Sequence, residues 1–312
     1  MNVPDRDVPG QADLVIRIQE LLLPQKPMMK TFCRIIPILF LFALTGCTSL
    51  FFHPSRDMQE GPAVKLFAHH DVVFPSSDGV PIHGWYFPAE NARCSILVLH
   101  GNAQNLSTHV NSVLWLVKEG FNIFIIDYRG YGWSGGEPSL EGVHRDAEAA
   151  LEKLFSMPET DPDRVVVLGQ SLGGSVAVYT VARSPRKDRI RALVTDSAFS
   201  SYRRIAREKL GDFWLTWPLQ VPLSWTVNDS YSAEKWIGQV SPVPVLILHG
   251  LDDPVVPTHH GRMLLEAARE PKGLWLTAQP GHVQSFGDDA VRPQLVRFLG
   301  EVLGQQGGTK KL

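Results

Sequence analysis

Apolar residues along this chain come as short continuous runs separated by stretches with helical spacing. Two alternating segments, 70–74 and 81–87, flank the turn Ser76-Ser77-Asp78-Gly79 and predict a hairpin. Continuous apolar runs follow at 95–99, 121–126, 165–168, 192–195, 244–248 and 273–277. Their length and lack of alternation predict strands buried on both faces. Between them the spacing predicts helices at 106–118, at 140–155, from 172 through Val176, Ala177, Val178 and Val181, at 263–269 and at 291–302. An antiparallel start followed by alternating strands and helices predicts an α/β fold, a mostly parallel central sheet flanked by helices. In such sheets functional groups gather at the carboxyl ends of the strands.

The alternation stops between 198 and 240. This stretch holds Trp214, Trp217, Trp225 and Trp236, with Pro218 and Pro222, and is too long for a simple connection. It predicts a short helical cap over the mouth of the site, its aromatics either lining an apolar pocket or forming the cap's own core. The N-terminus has a different pattern. Met28-Met29-Lys30 and Arg34 surround the start of an apolar run, 35–44, broken only by Pro37 and shorter than the roughly 20 residues of a spanning helix. A basic start and a short apolar core describe a secretory signal peptide over 28–46. The run ends in Leu44-Thr45-Gly46-Cys47, which resembles a bacterial lipobox. That resemblance implies cleavage before Cys47, a diacylglyceryl group on its thiol and, with Thr48 following, attachment to the outer membrane of a Gram-negative envelope. Residues 1–27 read as an over-extended start or a long n-region, 47–67 as a tether, 68–303 as the folded domain and 304–312 as a flexible tail.

Composition refines this picture only slightly. The 312 residues are 44% hydrophobic and 20% charged with a net charge of −2, an ordinary balance for one large domain. Without a basic excess, nucleic acid is excluded as a compositional expectation. Of the three cysteines, Cys33 leaves with the signal, Cys47 is acylated, and Cys94, just before a hydrophobic strand, reads as a buried thiol. The histidines show no metal-ligand spacing, so no metal is expected.

The chemistry concentrates at Gly169-Gln170-Ser171-Leu172-Gly173-Gly174. A strand runs into this stretch and a helix leaves it at once, a turn so tight that side chains on either side of the serine would collide. The Ser171 hydroxyl then stands at a helix N-terminus, where unpaired N–H groups stabilise a forming anion. A second Gly-x-Ser-x-Gly, at Gly132, Ser134 and Gly136, has no strand–turn–helix setting, and Ser134 reads as a loop serine that shapes the site. A serine nucleophile needs a base and an acid that orients the base. Of the 11 histidines, His282 is best placed, in the short loop after the last strand. His100 and His249 each precede a glycine at a strand end and read as buttresses, while His259 and His260 start a helix and read as solvated. The stretch from His249 to Pro257 carries Asp252 and Asp253 at another strand end, and Asp196 ends the strand before it.

Together these stretches resemble the serine hydrolases of the α/β-hydrolase superfamily, most nearly monoacylglycerol-lipase- and depalmitoylase-like esterases, over about 68–303. The motifs are the serine turn and the acid loop His-Gly-x-x-Asp-x-x-Val-Pro. A third, Leu99-His100-Gly101-Asn102-Ala103-Gln104-Asn105, is similar to His-Gly-Asn-Ala-Gly-Asn with Gln104 in place of the second glycine. The fourth runs from Asp127 to Gly136. The resemblance implies a triad of Ser171, Asp253 and His282, with Asp196 as the reserve acid. It implies an oxyanion hole from the backbone N–H groups of Leu172 and Asn102, Ala103 being the alternative second donor. The implied reaction is hydrolysis of a carboxylic ester or thioester, on a lipid or acylated substrate, through an acyl-serine without metal or cofactor. Two rivals are a serine peptidase, which usually brings a larger cap, and a non-enzymatic envelope lipoprotein, which has no need of all three groups.

Overall fold

The computed structural model describes residues 52–304; the expected signal peptide, Cys47 and the C-terminal tail lie outside the described residues. Eight strands form the main sheet: β1 (His70–Pro75), β2 (Pro81–Phe87), β3 (Cys94–Leu99), β4 (Phe121–Ile126), β5 (Val165–Gln170), β6 (Ile190–Asp196), β7 (Val245–Gly250) and β8 (Lys272–Thr277). Their order is β8-β7-β6-β5-β3-β4-β2-β1. The six from β3 onward are parallel, and β2 runs antiparallel to both β1 and β4. The unbroken apolar runs are explained by cover on both faces. Helices α1 (Leu140–Ser156), α2 (Leu172–Arg183) and α4 (His259–Ala267) contribute Val143, Leu151, Val176 and Leu264 to one core. Helix α5 (Val291–Gly304) and the segment after β3 contribute Leu295, Phe298, Leu299 and Leu106 to the other. Cys94 is buried, and that burial pushes its thiol up to about 12.

The helix expected at 106–118 is broken into Leu106–His109, a 3-10 turn at Val110–Ser112 and Trp115–Lys118. The Ser112 hydroxyl donates to the carbonyl of His109 at 2.8 Å, while the amides of Val113 and Leu114 both turn to Val110. Side-chain competition for backbone acceptors of this kind interrupts a helix. Helix α4 runs from His259 to Ala267, so the histidines that start a helix and the apolar spacing from 263 belong to one element.

Between β6 and β7 the chain forms α3 (Tyr202–Asp212) and two short helices, Gln220–Ser224 and Ala233–Trp236. Trp236 packs edge-on against Tyr179 of α2, with ring centroids 4.9 Å apart. Trp214, Trp217 and Trp225 form no core of the cap and line no pocket at the triad: they are 77%, 60% and 68% exposed. The cap is a single layer. Its inward contacts are taken by residues such as Tyr202 and Ile205, and nothing among the described residues covers its outer side.

The segment that enters the domain is fixed at the carboxyl ends of the strands. His53–Pro54 pairs in parallel with Ala103–Gln104, in the loop that follows β3. The amide of Gly132 donates to the carbonyl of Ser55 at 2.9 Å, and the Asn105 side chain donates to the carbonyls of Ser55 and Asp57 at 3.1 and 2.7 Å.

Candidate active site

Strand β5 delivers Ser171 with φ +52° and ψ −116°, a conformation that costs a non-glycine residue on the order of 1–3 kcal/mol. The flanking glycines permit it. A Cβ on Gly169 would stand 2.2 Å from the carbonyl oxygen of Gly173, and one on Gly173 would stand 2.0 Å from that of Leu99. The Ser171 amide donates to the carbonyl of Asp196 at 2.8 Å, which ties the turn to β6. Helix α2 starts at Leu172, so the Leu172 N–H is among those with no acceptor inside the helix.

Strand β7 leads to Asp253. Its Oδ1 accepts from the amides of Val255 and Val256 at 2.8 and 2.9 Å, an aspartate turn that fixes the carboxylate. His282 reaches the same carboxylate through Nδ1, 2.8 Å from Oδ2 and 3.1 Å from Oδ1. Its Nε2 lies 2.7 Å from Ser171 Oγ. With Nδ1–H donating to Asp253, Nε2 offers its lone pair to the serine hydroxyl. Burial works to raise the Asp253 carboxyl, but the hydrogen bonds from His282, Val256 and Val255 outweigh it and hold the group below the usual range. Asp252 is exposed. Of the two aspartates in this loop, the structure therefore brings Asp253 to Ser171 and His282.

Asp196 is fully buried but makes no hydrogen bond to His282 among the described residues; its Oδ1 accepts from Ser285 Oγ at 2.6 Å. Beside it, Ser197 Oγ accepts from the amide of Val283 at 3.2 Å. Ser197 and Val283 both have φ +57°, and Val283 directly follows His282. A branched residue at positive φ is a true outlier, held here by the surrounding bonds. Burial pushes the Asp196 carboxyl up to about 6.

The loop after β3 lies against the nucleophile: a Cβ on Gly101 would stand 3.6 Å from Ser171 Cβ. Gln104 takes φ +67°, the left-handed conformation that suits the glycine of the similar motif. Asn105 caps the following turn through Ser107 N at 3.0 Å. Three side chains that the sequence reading did not single out hold this loop. Tyr128 Oη donates to the carbonyl of His100 at 3.2 Å, and His109 Nε2 lies 2.7 Å from the carbonyl of Ala103. Tyr131 Oη lies 2.7 Å from the carbonyl oxygen of Asn102 and 3.0 Å from its Oδ1. The two tyrosines sit in the Asp127–Gly136 stretch, which was the available signal; His109 had none.

Ser134 is buried with its hydroxyl occupied. It donates to the carbonyl of Asp127 at 2.7 Å and accepts from the amide of His83 at 2.9 Å. His100 and His249 contact backbone carbonyls, of Gly101 at 2.6 Å and Val256 at 2.8 Å, in keeping with a buttressing role. His260, expected in solvent, is instead fully buried. Its Nδ1 accepts the amide of Ser200 at 3.1 Å, and Nε2 lies 3.0 Å from Glu208 of α3. His259 reaches the other Glu208 oxygen at 3.0 Å. These three donor groups lie within 4.8 Å of one another, close enough for a cation. The amide at His260 Nδ1, however, leaves the ring proton on Nε2, aimed at Glu208, so a cation there would require a doubly deprotonated ring. The cluster is a hydrogen-bonded clamp between α3 and α4. It borders a cavity of about 380 Å³ lined by Trp217, Gln220 and Pro257 among others, and the triad does not line that cavity.

Comparisons with known proteins bear on the fold and the family. A family model described as the alpha/beta hydrolase fold matches residues 95–221. YfhR of Escherichia coli (strain K12) is 36% identical over 290 residues, covering 88% of this chain and 97% of YfhR. The alpha/beta hydrolase domain-containing protein WAV2 of Arabidopsis thaliana is 35% identical over 225 residues, covering 68% of this chain and 71% of WAV2. Among solved structures, the esterase Pf2001 of Pyrococcus furiosus superposes with a TM-score of 0.65 at 22% identity, covering 82% of this chain and 98% of that one. This last likeness is one of fold.

Proposed function

The chain belongs to the α/β-hydrolase superfamily, and from that premise we propose that it is a serine hydrolase acting on carboxylic esters or thioesters of lipids or acylated molecules. The observation that carries the reading is the alignment of Ser171 Oγ, His282 Nε2 and Asp253 Oδ2 through contacts of 2.7 and 2.8 Å. His282 takes the hydroxyl proton as Oγ bonds to the substrate carbonyl carbon. The oxyanion faces the backbone N–H groups of Leu172 and Asn102. His282 then returns the proton to the departing alkoxide or thiolate, leaving an acyl-serine. Water repeats the sequence with the acyl group as electrophile and restores Ser171. Asp253 stays ionised, holding the tautomer and balancing the imidazolium. The monoacylglycerol-lipase- or depalmitoylase-like assignment and the placement in a bacterial envelope through diacylated Cys47 are parts of the same proposal, resting on sequence motifs.

A fluorophosphonate probe tests it directly. The wild-type chain should be labelled and Ser171→Ala should not. Folded wild-type protein that resists the probe, or equal labelling of the variant, would refute the catalytic reading. Fractionation tests the anchor: Cys47→Ala should leave the membrane fraction.

A further inference from the structure

The outer side of the cap presents an apolar surface that neither the fold nor the triad uses. Residues 213–228 contain no Asp, Glu, Lys, Arg or His. Within them Phe213, Trp214, Leu215, Trp217, Leu219 and Trp225 are all at least half exposed. Trp85, Trp115 and Trp236 donate their indole N–H groups to protein oxygens; among the described residues no acceptor meets those of Trp214, Trp217 and Trp225. A contiguous exposed apolar patch of this kind marks a site of association.

We propose that this patch docks on a phospholipid bilayer, so that the active site takes acyl esters from the membrane surface. The inference rests on the ester-hydrolase reading for its substrate and on the lipid-anchor reading for the second of its two supports. Two observations favour a bilayer as the occupant. The first is composition: the exposed large side chains are dominated by tryptophan, whose ring and free N–H suit the headgroup boundary. Helix α3 leads into the patch with Arg203 and Arg207 exposed one turn apart, charges that complement anionic headgroups.

The second is where the chain enters. The cap rises from the carboxyl end of β6, and His53–Pro54 is fixed to the loop at the carboxyl end of β3. Only β5 separates these two strands, so both features share one face, with their strand ends roughly 10 Å apart. The stretch from Cys47 to His53 can span no more than about 20 Å fully extended. An acyl chain on Cys47 would therefore hold the carboxyl-end face, with Ser171 and the cap, close to the lipid.

The test reads tryptophan depth. Full-length protein is mixed with vesicles of phosphatidylethanolamine and phosphatidylglycerol carrying brominated acyl chains. Wild-type fluorescence should be quenched. The triple variant Trp214→Ala, Trp217→Ala, Trp225→Ala should lose most of that quenching, and its hydrolysis of a bilayer-borne ester should fall by about tenfold. Its hydrolysis of soluble p-nitrophenyl acetate should match wild type, which also shows that it folds. Equal quenching in the two proteins overturns the inference. So does a wild-type dimer in light scattering that becomes monomeric in the triple variant without any vesicle quenching, since the occupant is then a second copy. If wild type is quenched but cleaves no ester, the hydrolase reading fails while the docking surface stands.

Discussion

The hydroxyl of Tyr131 lies 2.7 Å from the carbonyl oxygen of Asn102 and 3.0 Å from its Oδ1, so one phenol fixes the side chain of Asn102 and the peptide that follows it, next to the N–H proposed to stabilise the oxyanion. Tyr131→Phe keeps the ring, which packs 5.3 Å from His100, and removes only the donor. A net hydrogen bond is worth about 1 kcal/mol. If that bond positions Asn102 for the transition state, kcat on a soluble ester should fall roughly fivefold with KM nearly constant. A change confined to KM would show that the loop contacts substrate without acting on the oxyanion.

Asp253 sets the histidine tautomer. Asp253→Asn preserves an oxygen for the amides of Val255 and Val256 but turns a donor toward Nδ1 of His282. Nε2 would then carry the proton and could not accept one from Ser171. Steady-state rates should fall by about 10⁴ with the melting temperature little changed. A loss of less than about tenfold would mean that another carboxylate orients His282.

How much of this arrangement was legible in the sequence depended on whether the signal was local. Ser171, Asp253 and His282 each stand at a strand end in a loop of marked composition, and the apolar runs located those ends. Gly169 and Gly173 were readable because the turn leaves them no room. His260 was misread because two histidines at a helix start look solvated. Only His260 is buried, and the carboxylate that meets it, Glu208, arrives from α3, an element whose approach to α4 no local pattern encodes. Trp214, Trp217 and Trp225, unlike Trp236, escape the expected burial for a related reason. Apolar composition predicts burial only where a second layer exists to bury against, and layer count is a tertiary property.

Gln104 offers a test of the loop's backbone. At φ +67° a glutamine bears a steric cost of roughly 1–2 kcal/mol that glycine does not, partly offset by the greater chain entropy glycine loses on folding. Because the Gln104 side chain is exposed, little packing is lost with it. Gln104→Gly should therefore raise stability by about 0.5 kcal/mol, and Gln104→Val, branched at Cβ, should lower it by about 1–2 kcal/mol. Urea titration of the three proteins gives the order directly; a Val variant as stable as wild type would mean that the loop relaxes out of the left-handed region.

Asp196 carries the prediction with the clearest sign. It is buried beside the triad, its Oδ2 has no partner among the described residues, and burial pushes its carboxyl up to about 6 from 3.8. Below both values the group is protonated in folded and unfolded chains alike. As pH rises from about 4 to 6, the unfolded chain releases this proton first, so the unfolded state gains and stability falls. The shift corresponds to about 3 kcal/mol, lost across that window. Asp253 has the opposite sign: its depressed carboxyl contributes stability that disappears only as pH drops below the ordinary carboxylate range. Asp196→Asn cannot ionise, yet its amide oxygen can still accept from Ser285. Its unfolding free energy should lack the decline between about pH 4 and 6 and exceed wild type at pH 7. Its kcat at pH 8 should stay within a few-fold of wild type, in contrast to Asp253→Asn. If Asp196→Asn instead loses about 10⁴ in rate, the orienting acid is Asp196, and the contact between Asp253 and His282 is structural.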